Sequence, residues 1–336
     1  MADRLALPGF VNAHSHAFQR ALRGRVEGAD FWAWREVMLG HARCLAPDTV
    51  GRDYAETYRE MRAAGYTAVG EFHYVGFEEA RAAREAAREA GIELVLLQVA
   101  YARGGLERFR QESVGEYLEQ IEALGREALV GLAPHSVRAC PQEWLEEIGR
   151  YGERESLVLH VHADEQPREI EECLQEHGLR PIELLAQTGC LGPRTTVVHA
   201  THADERELDL LAASGSRVCL CPTTEANLGD GFPPLEGLLE RGIPLCIGSD
   251  SNVRIDPLEE LRELEGTARR QALRRNVIPP ERLLEIGSSE GAAALGLDEW
   301  PGIEIDLAHE SLRGVPREEA PAALVFGSAA DVVVSP

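Results

Sequence analysis

The sequence predicts an α/β fold, a (β/α)8 TIM-type barrel carrying a truncated small β appendage. Three observations predict it. Short apolar runs recur along the chain with helical patterns between them. Almost every run ends in polar, chemistry-bearing residues, and barrel sites form at the C-terminal ends of strands. The length of 336 residues exceeds a usual single-core domain and fits one barrel plus an appendage.

The runs, in order, are LPGFVN (7–12), YTAVGEF (66–72), IELVLLQV (92–99), ALVGLA (128–133), LVLHVH (157–162), TTVVHA (195–200), SRVCLC (216–221) and IPLCIG (243–248). Strands apolar on both faces belong to parallel sheets covered on both sides. Between them, FEEARAAREAAREAG (77–91) spaces Ala, Glu and Arg for a helix and stops at Gly. Residues 254–296 read as closing helices, and from about 301 short β-like pieces follow, ending LVFGSAADVVVSP. The expected division is a barrel over 1–300 and a remnant of a small β-sandwich over 301–336. A doubly wound open sheet is the alternative; the polar strand ends favour the barrel.

Composition narrows the function. The formal net charge of −23 argues against a nucleic-acid partner, which needs a basic surface. All 34 basic residues are Arg, so a carboxylated Lys cannot bridge two metal ions. The seven cysteines are scattered and form neither a disulfide framework nor a zinc clip. No stretch approaches 18 apolar residues, and no leader pattern opens the chain, so a soluble cytoplasmic protein without a membrane partner is expected.

The strand ends carry the chemistry. His14 and His16 are two apart, so on a strand they face the same side and can grip one ion. The last run ends at Asp250. The other ends offer Gln19, Arg20, His73, Tyr74, His135, Arg138, His160, His162, Glu165, His199 and His202. A lone strand histidine is usually packing; this many at strand ends point to a metal hydrolase. Three imidazoles and one carboxylate suit zinc. Glu165, three residues past His162, falls beside the metal rather than on it and can shuttle protons. His199 can polarise water or stabilise developing charge. For His73, His160 and His202 a packing role is at least as good a reading.

The set His-x-His, His-x-x-Glu, strand-six His and strand-eight Asp resembles the mononuclear deaminase branch of the amidohydrolase superfamily. PGFVNAHSHAFQRALRG, FWAWRE, EFHYV, APHSVRA, HVHADEQ, VHATH, CPTTEANLGDG and GSDS are similar to the formimidoylglutamate deiminases of histidine breakdown. That resemblance implies one zinc ion on His14, His16, His162 and Asp250. It implies Glu165 as proton carrier, assisted by His199 and Asp250, and substrate contacts from Gln19, Arg35, Tyr74, His135 and Arg138. It also implies a small anionic substrate, N-formimino-L-glutamate, whose two carboxylates suit Arg forks, and a homodimer. Another mononuclear zinc deaminase or chlorohydrolase, acting on a ring such as guanine, 8-oxoguanine or a triazine, is the alternative, and an inactive scaffold is a third. The family builds its small β-sandwich from both chain ends. Only 13 residues precede His14 here, so the N-terminal half is expected to be missing.

Overall fold

The computed structural model describes residues 4–25, 27–28 and 30–334. The strands are β1 (Arg4–Pro8), β2 (Phe10–Ser15), β3 (Tyr66–His73), β4 (Glu93–Ala100), β5 (Leu129–Pro134), β6 (Leu159–Ala163), β7 (Thr195–His199), β8 (Arg217–Leu220), β9 (Leu245–Ile247), β10 (Gly302–Asp306) and β11 (Val333–Val334). Strands β2 to β9 pair in parallel, in chain order, as one eight-stranded sheet. The sheet closes where Ser15 bridges Asp250. There the His16 amide donates to the Asp250 carbonyl at 2.8 Å and the Asp250 amide to the His14 carbonyl at 3.0 Å. An open sheet would leave β2 and β9 apart, so this is the (β/α)8 barrel.

The apolar runs become strands because both faces are covered. Every residue of β2 and β3 is buried. Helices follow the strands and cover the outside. Phe77–Ala90 buries Ala80, Ala83, Ala86 and Ala87, as the 77–91 pattern predicts, and turns Glu78, Arg81, Glu85 and Arg88 outward, while Glu79 is buried against Arg108. The expected closing helices over 254–296 appear as Pro257–Ala272, Pro280–Ile286 and Ser289–Ala294. Among the described residues no helix is long and apolar enough to cross a membrane.

Two expectations change. The run at 7–12 is not one strand. It breaks at Gly9, where an added Cβ would lie 2.0 Å from Thr67 Oγ1 and 2.3 Å from the Pro301 carbonyl. The chain before Gly9 pairs antiparallel with β10, setting Leu5 and Leu7 against Ile305 and Ile303. The small sheet, in the order β1-β10-β11, therefore draws on both chain ends; the N-terminal contribution is one strand rather than none. Secondly, the tail is not all β-like. Ala320–Gly327 is a helix that begins with a Pro in its first turn and buries Leu324 and Val325. A short apolar run does not separate helix from strand by periodicity, and packing decides.

Candidate active site

Side chains of His14, His16, His162 and Asp250 converge at the C-terminal mouth of the barrel, all buried. Nε2 of His14 lies 3.2 Å from Nε2 of His16 and 3.1 Å from Nε2 of His162. Asp250 Oδ1 lies 3.4 Å from His14 Nε2 and 3.3 Å from His16 Nε2. Ligands about 2.0–2.1 Å from a tetrahedral zinc stand roughly 3.3 Å from one another, so the spacing fits an ion. The tautomers say the same. His16 Nδ1 donates to the Phe72 carbonyl at 3.1 Å and His162 Nδ1 to the His135 carbonyl at 3.0 Å. Both Nε2 atoms therefore carry lone pairs, as metal-ligating nitrogens must. Burial pushes His14 down to about 3, only partly opposed by Asp250, and also lowers His16 and His162, so the rings are neutral donors. For Asp250, burial would raise the carboxyl, but the His14 hydrogen bond and the imidazoles around it outweigh burial and hold it below the usual range.

Glu165 sits beside this set, and burial lifts its carboxyl to about 7, against the pull of His199 and Arg138. Its Oε1 is 3.8 Å from His199 Nε2. His199 Nδ1 meets Glu225 Oε1 at 3.2 Å, and the same oxygen accepts the Cys221 amide at 2.9 Å. Burial alone would lower His199, but Glu165 and Glu225 outweigh it and raise it to about 10. The pair Glu165 and His199 thus offers one proton acceptor near neutrality and one cationic donor.

The backbone here is strained. Asp164, His199, Ala200, Asp250 and Asn252 have φ of 57°, 76°, 50°, 42° and 56°. Such non-glycine residues cost on the order of 1–3 kcal/mol each and cluster at functional sites. Asn252 braces the seam by donating to Ser15 Oγ at 3.1 Å and to the Asp250 carbonyl at 3.0 Å.

A cavity open to solvent lies over the set, and its wall includes His16, Gln19, Arg35, Tyr74, Tyr101, His135, Arg138, His162, Glu165 and Asp250. All five residues expected to contact substrate therefore share one pocket. Gln19 donates to the Tyr74 hydroxyl at 3.0 Å. Arg35 comes from the helix Phe31–Arg43, which also brings Trp34 and Met38 to the pocket. Arg138 lies 3.8 Å from Glu165 and 3.4 Å from Glu169.

Other strand-end residues stay outside. His73 meets Tyr54 and the Gly76 carbonyl, His160 meets the Ala294 carbonyl, and His202 meets the Asp230 carbonyl. These are packing partners that tie loops and helices to the barrel. Arg20 turns away to Glu60. Sequence reasoning missed Tyr101, although it directly follows β4 at a strand end and lines the pocket. It also missed Glu225, whose string CPTTEANLGDG shows an acid but not its partner. The Asn12–Ser249–Asn252 network left no sequence signal, because it joins residues far apart in the chain.

Fold and site together define a barrel enzyme with a His-His-His-Asp metal-type centre and a buried carboxylate, Glu165, beside it. Residues 5–302 match the amidohydrolase family. A formimidoylglutamate deiminase of Pseudomonas aeruginosa is 38% identical over 329 residues, spanning 88% of this chain and 72% of that protein. A 5-methylthioadenosine/S-adenosylhomocysteine deaminase of Archaeoglobus fulgidus is 31% identical, spanning 97% and 79%. The solved structure of an adenosine deaminase from Xanthomonas campestris with bound zinc superposes with a TM-score of 0.90 at 22% identity, covering 98% of this chain and 78% of that one. The chain belongs to the amidohydrolase family, as an enzyme that cleaves C–N bonds hydrolytically.

Proposed function

We propose that this enzyme hydrolyses N-formimino-L-glutamate to N-formyl-L-glutamate and ammonia, a step of histidine breakdown, with one zinc ion. The observation that carries the reading is the pocket itself, which brings Arg35 and Arg138 to the same small space as Glu165 and the metal-type donors. A substrate with two carboxylates at one end and an amidine at the other matches that division. Guanidinium groups bind carboxylates with paired hydrogen bonds. The Pseudomonas relative's name supports the same substrate.

His14, His16, His162 and Asp250 would hold the ion, which supplies Lewis-acid activation of water when bound. The chain's own groups do the rest. Arg35 and Arg138, with Gln19, Tyr74 and His135, fix the substrate so that its formimino carbon faces Glu165. Glu165 accepts a proton from the attacking water and returns it to the nitrogen that leaves as ammonia. His199 donates toward the oxygen on which charge develops. Water supplies the formyl oxygen, and the carbon–nitrogen bond to the departing nitrogen breaks.

The adenine-nucleoside deaminases among the relatives favour a second reading, a ring substrate. Ammonia release measured on N-formimino-L-glutamate, N-formiminoglycine, adenosine and 5-methylthioadenosine separates the two. The expected result is turnover of formiminoglutamate far above the glycine analogue, with ¹⁸O from labelled water in the formyl group. Release of glutamate and formamide, or preference for a nucleoside, overturns the proposal.

A further inference from the structure

Glu169 lies on the first turn of the helix Pro167–His177, with its side chain fully buried. Its Oε2 accepts the Glu165 backbone N–H at 3.1 Å. Its Oε1 stands 3.4 Å from Arg138 Nε, while Arg138 Nη2 stands 3.8 Å from Glu165 Oε2. Neither Arg138 Nε nor Glu169 Oε1 completes a hydrogen bond with its neighbours. The guanidinium is thus held between two carboxylates as an ion pair, nearer to the one that takes no part in the chemistry. It also faces Trp32, 5.9 Å from the ring centroid.

A guanidinium opposite a single buried carboxylate closes to a charge-assisted contact of about 2.7–2.9 Å. Contact of that kind with Glu165 would occupy the oxygen that must carry a proton and draw Arg138 off the substrate. We propose that Glu169 is a positioning residue. It holds Arg138 off Glu165 and open to a substrate carboxylate, and it fixes the backbone of Glu165 through the same side chain. One carboxylate therefore links proton carrier and carboxylate clamp. This rests on the reading of Arg138 as the clamp for an anionic substrate.

Glu169→Gln tests it, because Gln keeps an acceptor for the Glu165 amide and removes the charge. The expected result is a KM raised about tenfold or more, as for loss of a contact to a charged group, a lower kcat, and unchanged metal content. Glu169→Asp should recover part of the loss. In an Arg138→Met background, Glu169→Gln should change kcat/KM by less than about threefold, since coupled residues are non-additive. A melting cycle needs no substrate. Arg138→Met leaves Glu169 buried and unpaired, so the double variant should melt above Arg138→Met alone. Equal, additive effects in either cycle, or loss of metal in Glu169→Gln, overturn the proposal. If ammonia comes from a nucleoside instead, the substrate reading fails, and the melting cycle still decides the coupling.

Discussion

The backbone carbonyl of His135 accepts Nδ1–H of His162 at 3.0 Å. A pocket residue thereby sets the tautomer of a ring in the metal-type set. The Phe72 carbonyl does the same for His16. Ligand orientation is therefore built from main chain, and side-chain substitution at 135 or 72 should disturb substrate or packing before it disturbs the ion.

One divalent ion per chain is expected, since three imidazoles and one carboxylate converge and no Lys is available to bridge a second. His162→Ala should lose tight binding. Chelation should lower Tm, because an ion present at 1,000 times its Kd stabilises by roughly 4 kcal/mol. Elemental analysis giving two tightly held ions, both needed for turnover, would contradict the assignment.

Glu165→Gln should keep its metal and lose most turnover. Proton transfer by a positioned side chain contributes about 10²–10⁴-fold, and Gln cannot perform it. Near-normal kcat, or loss of metal, would remove Glu165 from the role.

Activity should depend on pH through the same group. Burial raises Glu165 to about 7. As proton acceptor it works ionised, so the rate should fall as pH drops below that value and level off above it. A pH–rate profile that stays flat from 8 to 5, measured with metal content verified, speaks against Glu165 as the base.

Stability should fall with acid for a different reason. Burial holds His73 and His160 at about 4, below the ordinary 6.5. A histidine depressed in the folded state contributes stability that is fully present above 6.5 and lost as pH falls through 4. The loss is roughly 3 kcal/mol per group at most. His160→Gln, which can still donate to the Ala294 carbonyl, should flatten the decline of Tm between pH 6.5 and 4. An unchanged slope would assign the acid sensitivity elsewhere.

Gly248→Ala should damage both stability and the ion site. An added Cβ would lie 2.7 Å from the His14 carbonyl and 2.8 Å from the His14 Cβ, at the barrel seam. Overpacking of this kind costs typically 1–3 kcal/mol. Weaker metal retention together with a lower Tm is the expected outcome; normal values of both would show that the seam yields easily.

The barrel was legible because its strands are buried on both faces and end in polar residues. His14, His16 and Asp250 were legible because two-residue spacing fixes a face and strand ends fix a location, whereas only the family resemblance picked His162 out of the other strand-end histidines. Arg35 was legible only through the FWAWRE string, since nothing local tells a pocket Arg on a helix from a solvated one. Glu169 was not legible. On a helix pattern it reads as one more surface acid, and only its partners Glu165 and Arg138 reveal its place. The Gly9 break was hidden for a similar reason, because the crowding comes from Thr67 and Pro301, far along the chain.

The closure of the barrel at Ser15 and Asp250 also orders events in time. His14 and His16 emerge early in synthesis and Asp250 only after seven further strands have been made. A nascent chain that stops before β9 holds three of the four donors at most. High-affinity capture of the ion therefore reports a finished barrel, and an ion bound there staples the first strand of the barrel to its last.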